Sequence, residues 1–458
     1  MTLSFAQIPA VVRLALPICM AQLASIGILT SDLWMAGRLS TLDLATSALS
    51  TRLYHPFYFI ALGILAVIAP LTAQALGSGD GKIARRTFRQ GLIIAFVIGI
   101  LSMPAVFYGS DILIFLGQDE ALSRHAEPYL FWTSLGLPFT FVFLAMRFFS
   151  SGHGEPAPQL YATLLGLGLN IALNECLSQG IGPFAQMGLE GIALATTISY
   201  IVMALTLGAL IGLRAPFRQV SPYMRWWVLD FHIIKRILRI GSPNGLLVLS
   251  ETGMFIIAAL LIGLFGTSAL AAASVANQIA AIAFMVPLSL AQAAAIRVGG
   301  AAGAGHPALV SANGNASMLC GALVAIPLTL VIFIFPEFLT GLFIQPDDPF
   351  FDDVLVIAVP MLIITAIFQL SDGMQAIITA ALRGLNDTKI PAIIGLFGYW
   401  GAGIGSGAYM AFILDWGPVS IWAGLAVGLF VNAVILGIRW ALRVRAIRDG
   451  KIPLLTLW

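Results

Sequence analysis

Apolar residues along this chain run in blocks long enough to cross a bilayer, broken by short polar stretches. With about 20 apolar residues needed per helix, spans are predicted near 11–36, 52–76, 90–110, 128–151, 159–180 and 189–212. A basic stretch from Arg214 to Arg239 follows, and further spans fall near 241–264, 269–297, 314–336, 353–382, 391–414 and 418–441. The pattern predicts an all-α integral membrane protein of about twelve transmembrane helices in two pseudo-symmetric six-helix lobes. The expected division is an N-terminal lobe over 1–212, a cytoplasmic linker over 213–239, and a C-terminal lobe with a basic tail over 240–458.

Composition agrees with that reading. The chain is 59% hydrophobic and 10% charged, where soluble domains carry about 25% charged residues. Where the charges lie matters more than their sum. Lys82, Arg85, Arg86 and Arg89 follow the second span, and Arg214, Arg218, Arg225, Lys235, Arg236 and Arg239 fill the central connection. Arg383 and Lys389 flank the tenth-to-eleventh connection, and Arg443, Arg445, Arg448 and Lys451 mark the tail. Glu337, Asp347, Asp348, Asp352 and Asp353 crowd the ninth-to-tenth connection, which has no base. The positive-inside rule then puts both termini and the linker in the cytoplasm of a plasma (inner) membrane protein. Tyr223, Trp226 and Trp227 suit either a short amphipathic helix at the inner interface or a plain solvated linker. The start lacks a basic n-region and continues past Pro17 as a full span, so no cleaved leader is expected. Cys19, Cys176 and Cys320 lie apart in apolar runs and read as small hydrophobes.

The two halves resemble each other. Leu14-Ala-Leu-Pro17 opens the first, and Arg239-Ile-Gly-Ser-Pro243 the second. Leu44-Ala-Thr-Ser-Ala-Leu-Ser50 parallels Leu270-Ala-Ala-Ala-Ser274, and Ser151-Gly-His-Gly-Glu-Pro156 parallels Gly384-Leu-Asn-Asp-Thr-Lys-Ile-Pro391. Six spans per half give both halves one orientation, a parallel repeat typical of secondary transporters, with the substrate site between the halves.

Glu251 lies in an apolar span at roughly 15 Å from the expected helix start. A charge at mid-membrane costs roughly 2.5–3.5 kcal/mol on insertion scales, so function is the default hypothesis. Asn244, Val248, Glu251 and Phe255 share one helical stripe. On the tenth span Gln369, Asp372 and Gln375 share a face, with Asp372 also roughly 15 Å from its inner end. Such a pair of acids can share a proton or hold a small cation such as Na⁺ in oxygen ligands. Ser274, Asn277 and Gln278 on the eighth span are candidate polar partners. The alternative is a structural pair satisfied by hydrogen bonds between helices. In the first half, Asp32, Asn170, Asn174, Thr196 and Thr197 form a second candidate pocket, with a helix-end carboxylate as the alternative for Asp32. Glu175 points to another face and reads as a snorkelling interfacial acid.

Motifs of soluble enzymes fail. Gly77-Ser-Gly-Asp-Gly-Lys82 has Leu76 and Ile83 where a phosphate loop needs Gly and Ser or Thr. Neither a His-Glu-x-x-His pattern nor a nucleophile elbow occurs, so neither an enzyme nor a cofactor site is expected.

The sequence resembles the multidrug and toxic compound extrusion (MATE) transporters, and among them the NorM-like branch. The resemblance spans nearly the whole chain. It rests on Ser31-Asp32-Leu-Trp-Met-Ala-Gly37-Arg38, Ala69-Pro70-Leu-Thr-Ala-Gln74-Ala-Leu-Gly77, Gly136-Leu-Pro138 with Arg147, Phe284-Met-Val-Pro287 and Arg297-Val-Gly299. The most specific part is Gln369-Leu-Ser-Asp372-Gly-Met-Gln375 followed by Leu382-Arg383-Gly384. It implies antiport of bulky, mostly cationic organic compounds or drugs against Na⁺ or H⁺ by a monomer in the lipid bilayer, with no nucleic-acid partner. It assigns coupling to Glu251, Asp372 and Asp32, the last with Asn170 and Asn174. Ala273-Ser274 replaces a His-Gln pair frequent in relatives. A flippase for lipid-linked precursors, from the same superfamily, is the alternative.

Overall fold

The computed structural model describes residues 2–225, 227–344 and 351–455. Trp226, Asp347 and Asp348, three positions used above, lie outside the described residues. Among those residues the chain is helical, without strands.

The helices that fill the expected spans are α1 (Ile8–Leu39), α2 (Thr41–Leu65, resuming as Ile68–Gly77), α3 (Gly81–Phe107), α4 (Glu127–Gly152), α5 (Ala157–Gln179) and α6 (Gly188–Leu213). After the central connection come α7 (Phe231–Gly263), α8 (Thr267–Gly303), α9 (Pro307–Ile334), α10 (Phe351–Gly384) and α12 (Pro418–Arg448). These 11 are long and apolar enough to cross a membrane. The span expected at 391–414 is α11. It runs from Lys389–Leu396 through a π-helical stretch, Phe397–Gly405, into Ser406–Phe412.

Several helices overrun their predicted bounds, because charged and small residues extend a helix beyond the apolar block that reveals it. α7 is the clearest case. It begins at Phe231, not at Gly241, and Pro243 lies inside it, as Pro17 lies inside α1. Prolines are tolerated within membrane helices where neighbouring groups re-satisfy the freed backbone.

Contacts divide the chain into two compact units, Leu16–Gly245 and Met1–Ala15 with Leu246–Trp458. The divisions thus fall inside α1 and α7, whereas the sequence suggested 212 and 240. Small residues explain the second division. A Cβ on Gly63 of α2 would stand 2.5 Å from the Gly245 Cα, and one on Gly241 would stand 2.6 Å from the Ile64 carbonyl oxygen. Asn244 Nδ2 donates to Gly63 O at 2.6 Å. Close approach through small residues is the usual way membrane helices bind each other, and it ties the first half of α7 to α2. At the other end of the chain, Arg297 on α8 donates to the Gln7 side chain, which belongs to the same unit.

Among the described residues the central connection forms no amphipathic helix; most of it is exposed, yet it is fastened to the helices beside it. A single turn at Ala215–Arg218 is followed by turns in which Ser221 (φ 47°) and Arg225 (φ 56°) adopt left-handed backbone. That conformation is uncommon for residues other than glycine and stops a helix. Tyr223 Oη donates to Gly208 O at 2.6 Å, and Gln90 Nε2 to Val228 O at 3.0 Å, which fastens the segment down. Burial against α6 and its neighbours pushes the Tyr223 phenol up to about 12. The glycine-rich turn before α3 is closed by its own acid. There Asp80 accepts from the backbone N–H groups of Lys82 and Ile83, both at 3.0 Å, as a helix N-cap.

Candidate functional site

Two acidic centres emerge, one in each unit. In the unit Leu16–Gly245, Asp32 sits seven residues before the end of α1 and is only 3% exposed. It is therefore not a carboxylate at an open helix end. α5 carries Asn170 and Asn174 one turn apart on a single face. Asn170 Nδ2 donates to Asp32 Oδ1 at 3.0 Å and Asn174 Nδ2 to the same oxygen at 2.8 Å. Thr196 of α6 donates to Asp32 Oδ2 at 2.7 Å. Asn174 also reaches Ser31 Oγ at 3.2 Å. Three neutral side chains from two helices thus hold both oxygens of one carboxylate. Thr197, though adjacent, belongs to another contact. Its hydroxyl donates to Trp132 O at 2.8 Å, and Trp132 Nε1 donates to Glu190 at 2.7 Å. Glu175 leaves the pocket and pairs with Arg38 at 3.0 Å, both side chains being exposed.

In the other unit, Glu251 on α7 and Asp372 on α10 meet through one amide. Gln375 Nε2 donates to Glu251 Oε1 at 2.8 Å and to Asp372 Oδ1 at 3.2 Å. Its Oε1 accepts from Tyr399 Oη at 2.8 Å. Asp372, Gln375 and Tyr399 are buried and Glu251 is half-buried. Among the described residues no Lys, Arg or His forms an ion pair with either acid. Nor does any group of three or more His, Cys, Asp or Glu side chains gather there as a metal cluster.

Tyr399 has no place in the sequence reading. It lies in the π-helical stretch Phe-Gly-Tyr-Trp-Gly-Ala-Gly-Ile-Gly, and π-helical turns are frequent at functional sites. The stretch lies close against α12. A Cβ on Gly398 would strike the Asn432 side chain at 2.0 Å, and one on Gly424 would strike Gly407 Cα at 2.4 Å. A tyrosine in the middle of a glycine-rich apolar span was the available signal.

The remaining expected residues divide. Gln369 is 0% exposed on the buried face of α10, and neither its amide nitrogen nor its oxygen has a hydrogen-bond partner. A buried, unpartnered amide is rare and calls for a reason. Asn244, on the expected stripe with Glu251, is committed to Gly63 instead. Ser274 and Gln278 are exposed on α8; Ser274 donates to Leu270 O of its own turn at 2.8 Å. No hydrogen bond among the described residues joins either to the acid pair.

An apolar jacket holds the pair in place. Trp422 of α12 is buried, donates Nε1 to Thr365 Oγ1 of α10 at 2.8 Å, and lies 6.2 Å between ring centroids from both Phe255 and Phe368. Such surroundings strengthen every electrostatic interaction inside them.

The MatE family model matches residues 17–175 and 243–408. The protein called "Probable multidrug resistance protein NorM" of Mesorhizobium japonicum is 36% identical over 442 residues, 96% of this chain and 94% of the relative. Its namesake in Bradyrhizobium diazoefficiens is 35% identical over 433 residues, 94% and 93% of the two chains. Among solved structures, the eukaryotic MATE transporter AtDTX14 superposes with a TM-score of 0.87 at 20% identity, covering 98% of this chain and all of that one. A MOP superfamily transporter from Pyrococcus furiosus superposes with a TM-score of 0.86 at 19% identity, covering 96% of each chain. At those identities the structural likeness concerns the fold.

Proposed function

Because the chain belongs to the MatE family of multidrug efflux transporters, we propose that it exports bulky, mostly cationic organic compounds in exchange for Na⁺ or H⁺. The observation that carries the exchange is the shared amide. Desolvating an ion costs several kcal/mol even after relaxation. One hydrogen bond to a charged group returns about 1.5–3 kcal/mol. A single Gln375 amide divided between a buried Asp372 and a half-buried Glu251 is too little for two charges, so the pair favours taking up one positive charge. A proton does this on either acid. A sodium ion needs oxygen ligands, and Glu251, Asp372, Gln375 Oε1, Gln369 Oε1 and Tyr399 Oη are the candidates.

A sodium ion shared by the two carboxylates would compete with the Gln375 amide nitrogen that now bridges them, whereas a proton on either acid leaves an oxygen there that still accepts from Gln375. In the antiport cycle, the unloaded pair attracts a cationic substrate from the cytoplasm, and uptake of the ion from outside lowers the negative charge of the pair and releases the substrate by alternating access. The transmembrane potential supplies about 2.3 kcal/mol per net charge per 100 mV. Asp32, held by neutral donors, serves as a second proton site. The Lys and Arg distribution supports cytoplasmic termini in the inner membrane.

The test is ethidium efflux from vesicles under an imposed Na⁺ or pH gradient. Glu251→Gln and Asp372→Asn should both abolish gradient-driven efflux while still reaching the membrane. Full efflux in both variants would sink the proposal.

A further inference from the structure

A second charged feature lies far along the sequence from either acidic centre, inside the unit Leu16–Gly245. Arg85, Arg86 and Arg89 project from the first turns of α3, and the connection between α6 and α7 folds back over them. Arg89 is buried. Its Nη1 donates to the carbonyl oxygens of Met224 and Arg225, while its Nε finds no partner. Between these segments lies a cavity of about 290 Å³ whose wall includes Arg85, Arg86, Arg89, Arg225, Asp230 and Phe231.

Four guanidinium groups face one carboxylate there. Asp230 is already paired with Arg86 at 3.3 Å. The nearby Asp80 is committed to backbone N–H groups. The cavity therefore keeps an excess of positive charge, and the planar fork of arginine suits phosphate oxygens. Its apolar lining, Val228 (42%), Leu229 (52%) and Phe231 (74%), is exposed, as is the adjoining Trp227 (68%). A free anion would gain nothing from that lining. An apolar lining beside a basic floor matches the boundary between headgroups and acyl chains, where aromatic residues and arginines collect.

We propose that this cavity binds the phosphate of an anionic phospholipid headgroup, with the lipid's glycerol and upper acyl chains against Trp227, Leu229 and Phe231. The bound phosphate bridges guanidinium groups of α3 and of the connection between α6 and α7, and so pins that connection. This assignment is independent of which ion drives transport and of which compounds are exported.

The experiment is native mass spectrometry of the full-length protein in detergent, offered dioleoylphosphatidylglycerol and dioleoylphosphatidylcholine together at equal concentration. Phosphatidylglycerol should be retained with a preference of roughly tenfold or more, in line with the usual contribution of basic residues at an anionic surface. The double variant Arg85→Gln/Arg225→Gln spares the backbone bonds of Arg89 and should lose most of that preference. Should that variant unfold, Arg85→Gln alone should lose it by a few fold. Equal retention of the two lipids overturns the proposal, as does an undiminished preference in the folded variant. Displacement of phosphatidylglycerol by millimolar inorganic phosphate would assign the cavity to a free anion and overturn it too.

Discussion

Asp32 and the Glu251–Asp372 pair are both acidic centres inside apolar helices, but they differ in how much hydrogen bonding each charge receives. Asp32 takes three donors from Asn170, Asn174 and Thr196. Glu251 and Asp372 share the two N–H groups of one amide. The first carboxylate has a donor on each oxygen; the second centre has one amide for two acids. The contrast between them lies in the balance of charge and donors rather than in residue type.

The largest expected effect comes from removing a charge from the pair. Glu251→Gln and Asp372→Asn should each lower gradient-driven efflux by roughly 10²-fold or more, the loss of several kcal/mol of ion binding. Thermal stability separates the two centres further. Asp32→Asn sets an amide against three donors and should destabilise the protein by about 1–3 kcal/mol. Asp372→Asn relieves two charges sharing one amide and should leave the melting temperature unchanged or raised. Melting curves in detergent read both, and a lower melting temperature for both variants would break the comparison.

A smaller effect is expected for Tyr399→Phe, which removes the hydroxyl that orients Gln375. It should cost about 0.5–1.5 kcal/mol and reduce efflux a few fold, with the change concentrated in its dependence on the driving ion. An unaltered ion dependence would make Tyr399 a packing residue. Smallest of all is Arg38→Gln. Its exposed pair with Glu175 is worth about 0–1 kcal/mol, and both efflux and melting temperature should stay near those of the parent.

Helix number, the acids and the Asn170–Asn174 pair were all legible in the sequence, because a carboxylate or an i,i+4 amide pair inside an apolar span stands out against its background. Two things were not. The start of α7 was hidden because Lys235, Arg236 and Arg239 interrupt the apolar run that reveals a membrane helix. The role of Tyr399 was hidden because it depends on a local change in helical period that glycines permit but do not announce. Ser274 and Gln278, also marked by polarity, are exposed and form no hydrogen bond with the acid pair among the described residues; nothing in the spacing of α8 told which way its polar face turns relative to Glu251.

The wide-turned stretch of α11 has one more implication, for the effect of changes in chain length. A π-helical turn holds one residue more than the helix around it. Removing a single residue between Phe397 and Gly405 would restore ordinary winding of about 100° per residue there, while the segments on either side kept roughly their faces. Only residues inside the wide turn, Tyr399 among them, would change direction. A one-residue deletion here would therefore act like a switch thrown once, turning the phenol while the flanking turns stayed in register. The hydroxyl on Gln375 is set by chain length as much as by chemistry.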